Sequence, residues 1–166
     1  MSIKITYSKK STVKYSNNLI IFSDDKFGLN KLKKFFSTSE FSYINDLIKN
    51  SDLKKNLLVF ELNSKKKIII ISIKKNLKTS DIENLGAELY GLVNHGKNSN
   101  YLLISDSISD KQNNFLGYFL HGLKLKSYEF KKYKTKKDSR IISISVEGNK
   151  NHPSKQTQLK FEALEK

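Results

Sequence analysis

The spacing of apolar residues along the chain changes period several times, and each change marks an element. Ile3 and Ile5 alternate with polar neighbours, and Asn18 to Phe22 forms a short β-rich run. These predict two strands joined by the polar stretch Lys9 to Ser16. Asp24-Asp25 and Gly28 mark a turn. Leu29, Leu32, Phe35 and Phe36 then recur at helical spacing. Residues 39–50 predict a second short helix with Phe41, Ile44, Leu47 and Ile48 on one face. Leu57 to Leu62 and Ile68 to Ile73 are two β-rich runs separated by Asn63 to Lys67, the pattern of a hairpin. Ile68 to Ile71 is apolar at every position, which predicts a strand covered on both faces.

Ser80 opens the strongest helical signal. Ser80-Asp81-Ile82-Glu83 fits a capping box, and Ile82, Leu85, Leu89, Leu92 and Val93 follow at helical spacing. Gly86, Gly91 and Gly96 read as packing glycines and a helix stop. Tyr101 to Ser105 predicts a strand. A helix from about Lys111 places Phe115, Leu116, Phe119, Leu120 and Leu123 toward the core. Residues 124–140 are polar, aromatic and basic. Arg140 to Val146 predicts the last strand, and Pro153 suits the first turn of a final helix. That helix carries Leu159, Phe161, Ala163 and Leu164 and runs on to the end of the sequence. The order β-β-α-α-β-β-α-β-α-β-α, with no linker and no repeat, predicts a single α/β domain over 1–166: a mixed β-sheet flanked by helices.

Composition narrows the chemistry. The 166 residues contain no cysteine, which excludes disulfides and thiolate metal sites. The opening alternation reads as a strand and not as a signal peptide, and no apolar run approaches a membrane span. A cytoplasmic protein with no membrane partner is therefore expected. The formal net charge is +15, which points toward an anionic partner. Thirty of the 31 basic residues are Lys, however, and Arg140 is the only arginine. Arginine is the residue suited to forked phosphate and guanine contacts. Much of the charge thus reads as a compositional habit of a chain rich in Lys, Asn and Ile.

Catalytic signals are sparse. The seven glycines form neither G-x-G-x-x-G nor a P-loop. Asp24-Asp25, Asp106 and Asp110 read as turn or cap residues. His95, His121 and His152 show no ligand or base partner at a diagnostic spacing. No catalytic, metal or cofactor residue is expected in this chain. The segment Lys124 to Arg140 stands apart, with eight basic and two acidic residues interleaved with Tyr128, Phe130 and Tyr133. Such interleaving can bind phosphates and stack bases, and it makes Lys131, Lys132, Lys134, Lys136, Lys137 and Arg140 the candidate nucleic-acid contacts, with DNA as the partner. The competing reading is a solvated basic loop whose aromatics anchor it to the core.

The same stretch carries a pattern. Gly122, Leu125, Tyr128, Phe130, Tyr133 and Lys134 follow an apolar helix in the manner of Glu-Gly-x-x-Leu-x-x-Tyr-x-Phe-x-x-Tyr-Lys. It resembles the end of the N-terminal domain of the leucyl (cytosol) aminopeptidase family. His121 stands where that family has Glu, and Lys126 where Gly is common. The order of elements from residue 50 onward is similar too. The resemblance implies a macro-domain-like fold and a non-catalytic N-terminal domain. Its partners would be the parent's own C-terminal metallopeptidase domain and a homo-hexamer. Two divalent metal ions, zinc or manganese, would be held in that absent domain, whose Asn-Thr-Asp-Ala-Glu-Gly-Arg signature occurs nowhere here. Some bacterial members of the family also bind DNA, so the two readings are compatible. Macro domains can bind ADP-ribose, but the Gly-rich phosphate loop such binding needs is missing.

Overall fold

The computed structural model describes residues 2–9, 18–96, 99–109, 114–132 and 140–164. Among these residues six strands form one sheet in the order β1 (Ser2–Ser8), β6 (Ile141–Glu147), β5 (Asn100–Ile104), β2 (Asn18–Ser23), β4 (Lys67–Ser72), β3 (Leu57–Glu61). All neighbours are parallel except the β3–β4 hairpin, where Val59 lies opposite Ile69 and Glu61 opposite Lys67. The sheet is mixed, as expected. Among the described residues, α1 (Thr38–Lys49), α2 (Thr79–His95) and α3 (Phe115–Lys132) connect strands, and α4 (Lys155–Leu164) follows β6. The Leu29–Phe36 signal is a 3-10 helix over Asn30–Phe35.

The period-2 rule assigns each strand residue to a face. Ile20, Phe22, Ile69, Ile71, Leu103, Ile142, Ile144 and Val146 face α2 and α3. Leu19, Ile21, Ile68, Ile70, Leu102 and Ile104 face α1 and the 3-10 helix. The all-apolar run Ile68–Ile71 is indeed buried on both faces, at 0–1% exposure. Burying one such side chain is worth about 1.5–3 kcal/mol, so this strand anchors both layers. Phe22 packs edge-on against Phe115 and Phe119, which ties β2 to α3.

Helix starts differ from the sequence expectation in two places. The capping box sits on α1: Glu40 N–H donates to Ser37 Oγ at 3.2 Å, and Ser37 N–H donates to the Glu40 carboxylate at 3.0 Å. In α2 the helix begins one residue before Ser80, and Lys78 N–H donates to Asp81 Oδ2 at 2.9 Å. Glu83, expected to close a box with Ser80, turns to α3 instead. Pro153 lies ahead of α4 rather than in its first turn. Ser154 Oγ accepts from Thr157 N–H at 3.1 Å and begins that helix.

Candidate functional site

Helices α2 and α3 meet through glycine. A Cβ on Gly86 would overlap the Phe119 carbonyl oxygen, and one on Gly122 would overlap the Glu83 carbonyl oxygen. Each helix thus rests on the other's backbone, at a distance no other residue permits. Gly86 is the packing glycine that the sequence suggested. Gly91 is not one, because the space around it is open, and Gly96 ends α2 in an extended conformation. Gly122, a residue of the aminopeptidase-like pattern, belongs to this contact.

His121, next to Gly122, is buried on the same seam. Its Nδ1 lies 2.9 Å from Glu83 Oε1, and its ring stacks on Phe161 of α4 at 4.7 Å between centroids. A small cavity of about 60 Å³ opens beside it, lined in part by Tyr7, Leu120 and Gln158. His121 therefore has a carboxylate partner that sequence spacing did not reveal. The pair lies 38 positions apart in the chain, and Glu83 already had a local explanation as a cap.

The basic segment is divided by the structure. Lys124 to Lys132 is the C-terminal half of α3 and not a loop. On it Tyr128 is 64% exposed, so it does not anchor the segment to the core, and Leu125 is exposed beside it. Lys131 and Lys132 form the last turn of the helix. Lys134, Lys136 and Lys137 lie outside the described residues, as does Tyr133. Arg140 lies just before β6 and donates from Nη2 to the Gly96 carbonyl at the end of α2. Burial raises the pKa of Tyr101 above the usual phenol value, and the charge of Arg140 opposes that shift. Arg140 is thus built into the fold.

The carboxyl ends of β2, β5 and β6 form the third region, where open α/β sheets commonly bind ligands. Here the loops are tied to each other. Asp106 accepts from Asn149 N–H at 3.0 Å and Lys150 N–H at 2.9 Å. Ser107 Oγ accepts from Phe22 N–H at 2.9 Å and donates to the Ile104 carbonyl at 2.5 Å. Asn151 Nδ2 reaches the carbonyls of Ser105 and Ile108, both at 3.1 Å. Gly148, at φ +148°, passes so close that a Cβ would overlap Ser105 Oγ. Asp24 Oδ1 accepts from Lys26 N–H at 3.1 Å and Gly28 N–H at 2.8 Å. Asp24 is a turn residue, as read from the sequence; Asp106, read as a helix cap, instead ties its loop to residues 149 and 150, and Asp110 lies outside the described residues. Among the described residues, the N–H groups of Lys26, Gly28, Asn149 and Lys150 at this end are bonded to carboxylates. Among the described residues no three His, Asp or Glu side chains are grouped to hold a metal ion. No helix among them is long and apolar enough to cross a membrane.

No family model and no curated protein matches the sequence. Solved structures do match its shape. The chain is similar to the macrodomain of Thermus aquaticus DarG, with a TM-score of 0.56 and 9% identity over 89% of this chain and 100% of that one. The macrodomain of Mycobacterium tuberculosis DarG gives 0.57 and 12% over 88% and 98%. The class is therefore a macro-domain-like α/β fold. A tomato leucine aminopeptidase variant gives a TM-score of 0.66 and 14% identity over 97% of this chain. The chain spans about a third, 35%, of that protein's length. At these identities the likenesses show the fold alone.

Proposed function

We propose that this chain is the accessory N-terminal domain of a leucyl aminopeptidase. Its role is to pack on a C-terminal metallopeptidase domain and to support hexamer assembly, and it has no peptidase activity of its own. The observation that carries the reading is the coverage: the likeness takes in 97% of this chain but 35% of the aminopeptidase. The aminopeptidase-like pattern adds to it, because its Gly122 is a packing contact in this fold. The divalent ions of such a parent, zinc or manganese, belong to the metallopeptidase domain. The test is the reading frame after Lys166. A continuation carrying a two-metal ligand set is expected, and a stop codon there overturns the proposal. The 166-residue chain with added zinc or manganese is expected to leave leucyl p-nitroanilide intact.

A second reading is favoured by the exposed Tyr128 on the basic end of α3. Under it this end binds DNA. Affinity should fall steeply with salt and disappear when Lys131, Lys132, Lys134, Lys136 and Lys137 become Gln. Absence of binding at low salt eliminates it.

A further inference from the structure

The sheet ends at β3, whose outer edge carries no strand among the described residues. The ladder on the inner edge fixes which groups point outward. The Asn56 carbonyl accepts from Ser72 N–H at 2.8 Å, and Leu62 N–H donates to the Lys66 carbonyl at 2.9 Å. Even-numbered residues of β3 therefore face β4, and Leu57, Val59 and Glu61 direct their N–H and C=O groups away from the sheet. The side chains of these same three residues lie on the α2 face. There a groove of about 830 Å³ runs between β3 and α2, lined in part by Leu57, Val59, Glu88, Gly91 and Leu92. Val59 is 39% exposed and Leu92 41%. The open space at Gly91 widens the groove over the edge.

An apolar edge with outward backbone groups is a template for another strand. The charges beside it specify which one. In an antiparallel pairing about Leu58, Leu57 of one copy lies opposite Val59 of the other. Lys55, in the turn that leads into β3 with its N–H donating to the Asp52 carbonyl at 3.3 Å, then comes beside Glu61, and two-fold symmetry repeats each match. Glu61 already pairs with Lys67 on β4 at 3.2 Å, so the second Lys would continue an alternating ladder Lys67–Glu61–Lys55 across the seam. Shifting the register to centre on Val59 leaves Lys55 diagonal to Glu61 and still in reach. The edge is complementary to itself. We propose that two copies of this chain pair their β3 strands antiparallel about Leu58, continuing the sheet across a two-fold axis.

This pairing makes predictions that net charge alone does not. Two chains of +15 repel, so association measured by sedimentation equilibrium should strengthen as salt rises from about 0.01 to 0.15 M, where the screening length falls from about 30 to 8 Å. Val59→Lys should weaken the dimer at least about tenfold, because edge lysines block strand addition. Lys55→Glu lowers the net charge yet should also weaken it about tenfold, by placing Glu opposite Glu61. Glu61→Lys should do the same, and the double reversal should restore association to within about threefold of the original. The chain has no cysteine. A mixture of Lys55→Cys and Glu61→Cys chains should therefore cross-link to each other in preference to themselves. A monomer at all salts up to roughly 1 mM protein overturns the proposal. So does a dimer indifferent to Val59→Lys or not restored by the double reversal. Neither result touches the aminopeptidase reading, which rests on other residues.

Discussion

The two faces of the sheet are covered by different means. On one face α2 and α3 press backbone to backbone through Gly86 and Gly122, and Phe22, Phe115 and Phe119 fill the space beneath. On the other, α1 and the 3-10 helix lay Leu32, Ile44 and Ile48 over β2, β3 and β4. That cover stops short. Lys4 and Thr6 of β1 are exposed and Ser143 and Ser145 of β6 are half-buried, all on the α1 side of the sheet. The first face is specified by shape, and a single added carbon spoils it. The second is specified by apolar area and a helix cap, and both can be trimmed by degrees.

The largest effect should come from the first face. Gly122→Ala places a methyl group against the Glu83 carbonyl and forces α2 from α3, and overpacking of this kind costs about 3 kcal/mol or more. Chemical denaturation should show a loss of that size or failure to fold, whereas Gly91→Ala, facing open space, should be neutral or slightly stabilising. Next comes Ile44→Ala on α1, expected to cost about 2–4 kcal/mol while leaving the chain folded. If Ile44→Ala proved more damaging than Gly122→Ala, the contrast between the faces would be wrong. Glu83→Ala removes the partner of His121 Nδ1 and should cost about 1–2 kcal/mol in the same measurement. Ser37→Ala deletes the oxygen that caps α1 and should cost about 1 kcal/mol.

The smallest effect is pH-dependent. Burial raises the pKa of Glu40, but bonds from Lys66 Nζ at 2.6 Å and from Ser37 N–H outweigh it and hold the carboxyl below its usual value. A folded pKa below the unfolded one gives stability that is present above the unfolded value and lost as pH falls through the folded one. Glu40→Gln should therefore cost about 0.5–1 kcal/mol at pH 7 in denaturant titrations. The difference from the unsubstituted chain should begin to shrink in the ordinary glutamate range and be lost as the pH falls through the lower folded value.

The same contrast explains what could be read from the residues. Element order was legible, and element type for most elements, because periods of 2 and 3.6 record which face is buried. Ile68–Ile71 declared a central strand, and Phe115 to Leu123 a core helix. Strand order was not legible, since no local pattern says that β3 is an edge and β4 is not. Glu83 had two uses, cap or cross-helix partner, and local spacing favours the nearer one. Gly86 and Gly91 look alike in sequence, and their difference lies wholly in what stands opposite. The basic segment looked like a loop because its charge hides helical spacing. Leu125 and Tyr128 are surface positions of α3, so they supply no apolar stripe.

The pairing of β1 with β6 joins residues 2–8 to residues 141–147. During synthesis β1 leaves the ribosome with its neighbour still about ten seconds from being made, at ordinary elongation rates. It must wait as an unpaired strand, and Lys4, Thr6 and Ser8 between its apolar positions suit it to waiting in water. The remaining sheet, from β6 to β3, can assemble without it. Closure of the β1–β6 ladder is then the step with the longest loop to close, and the one most open to capture by another nascent chain.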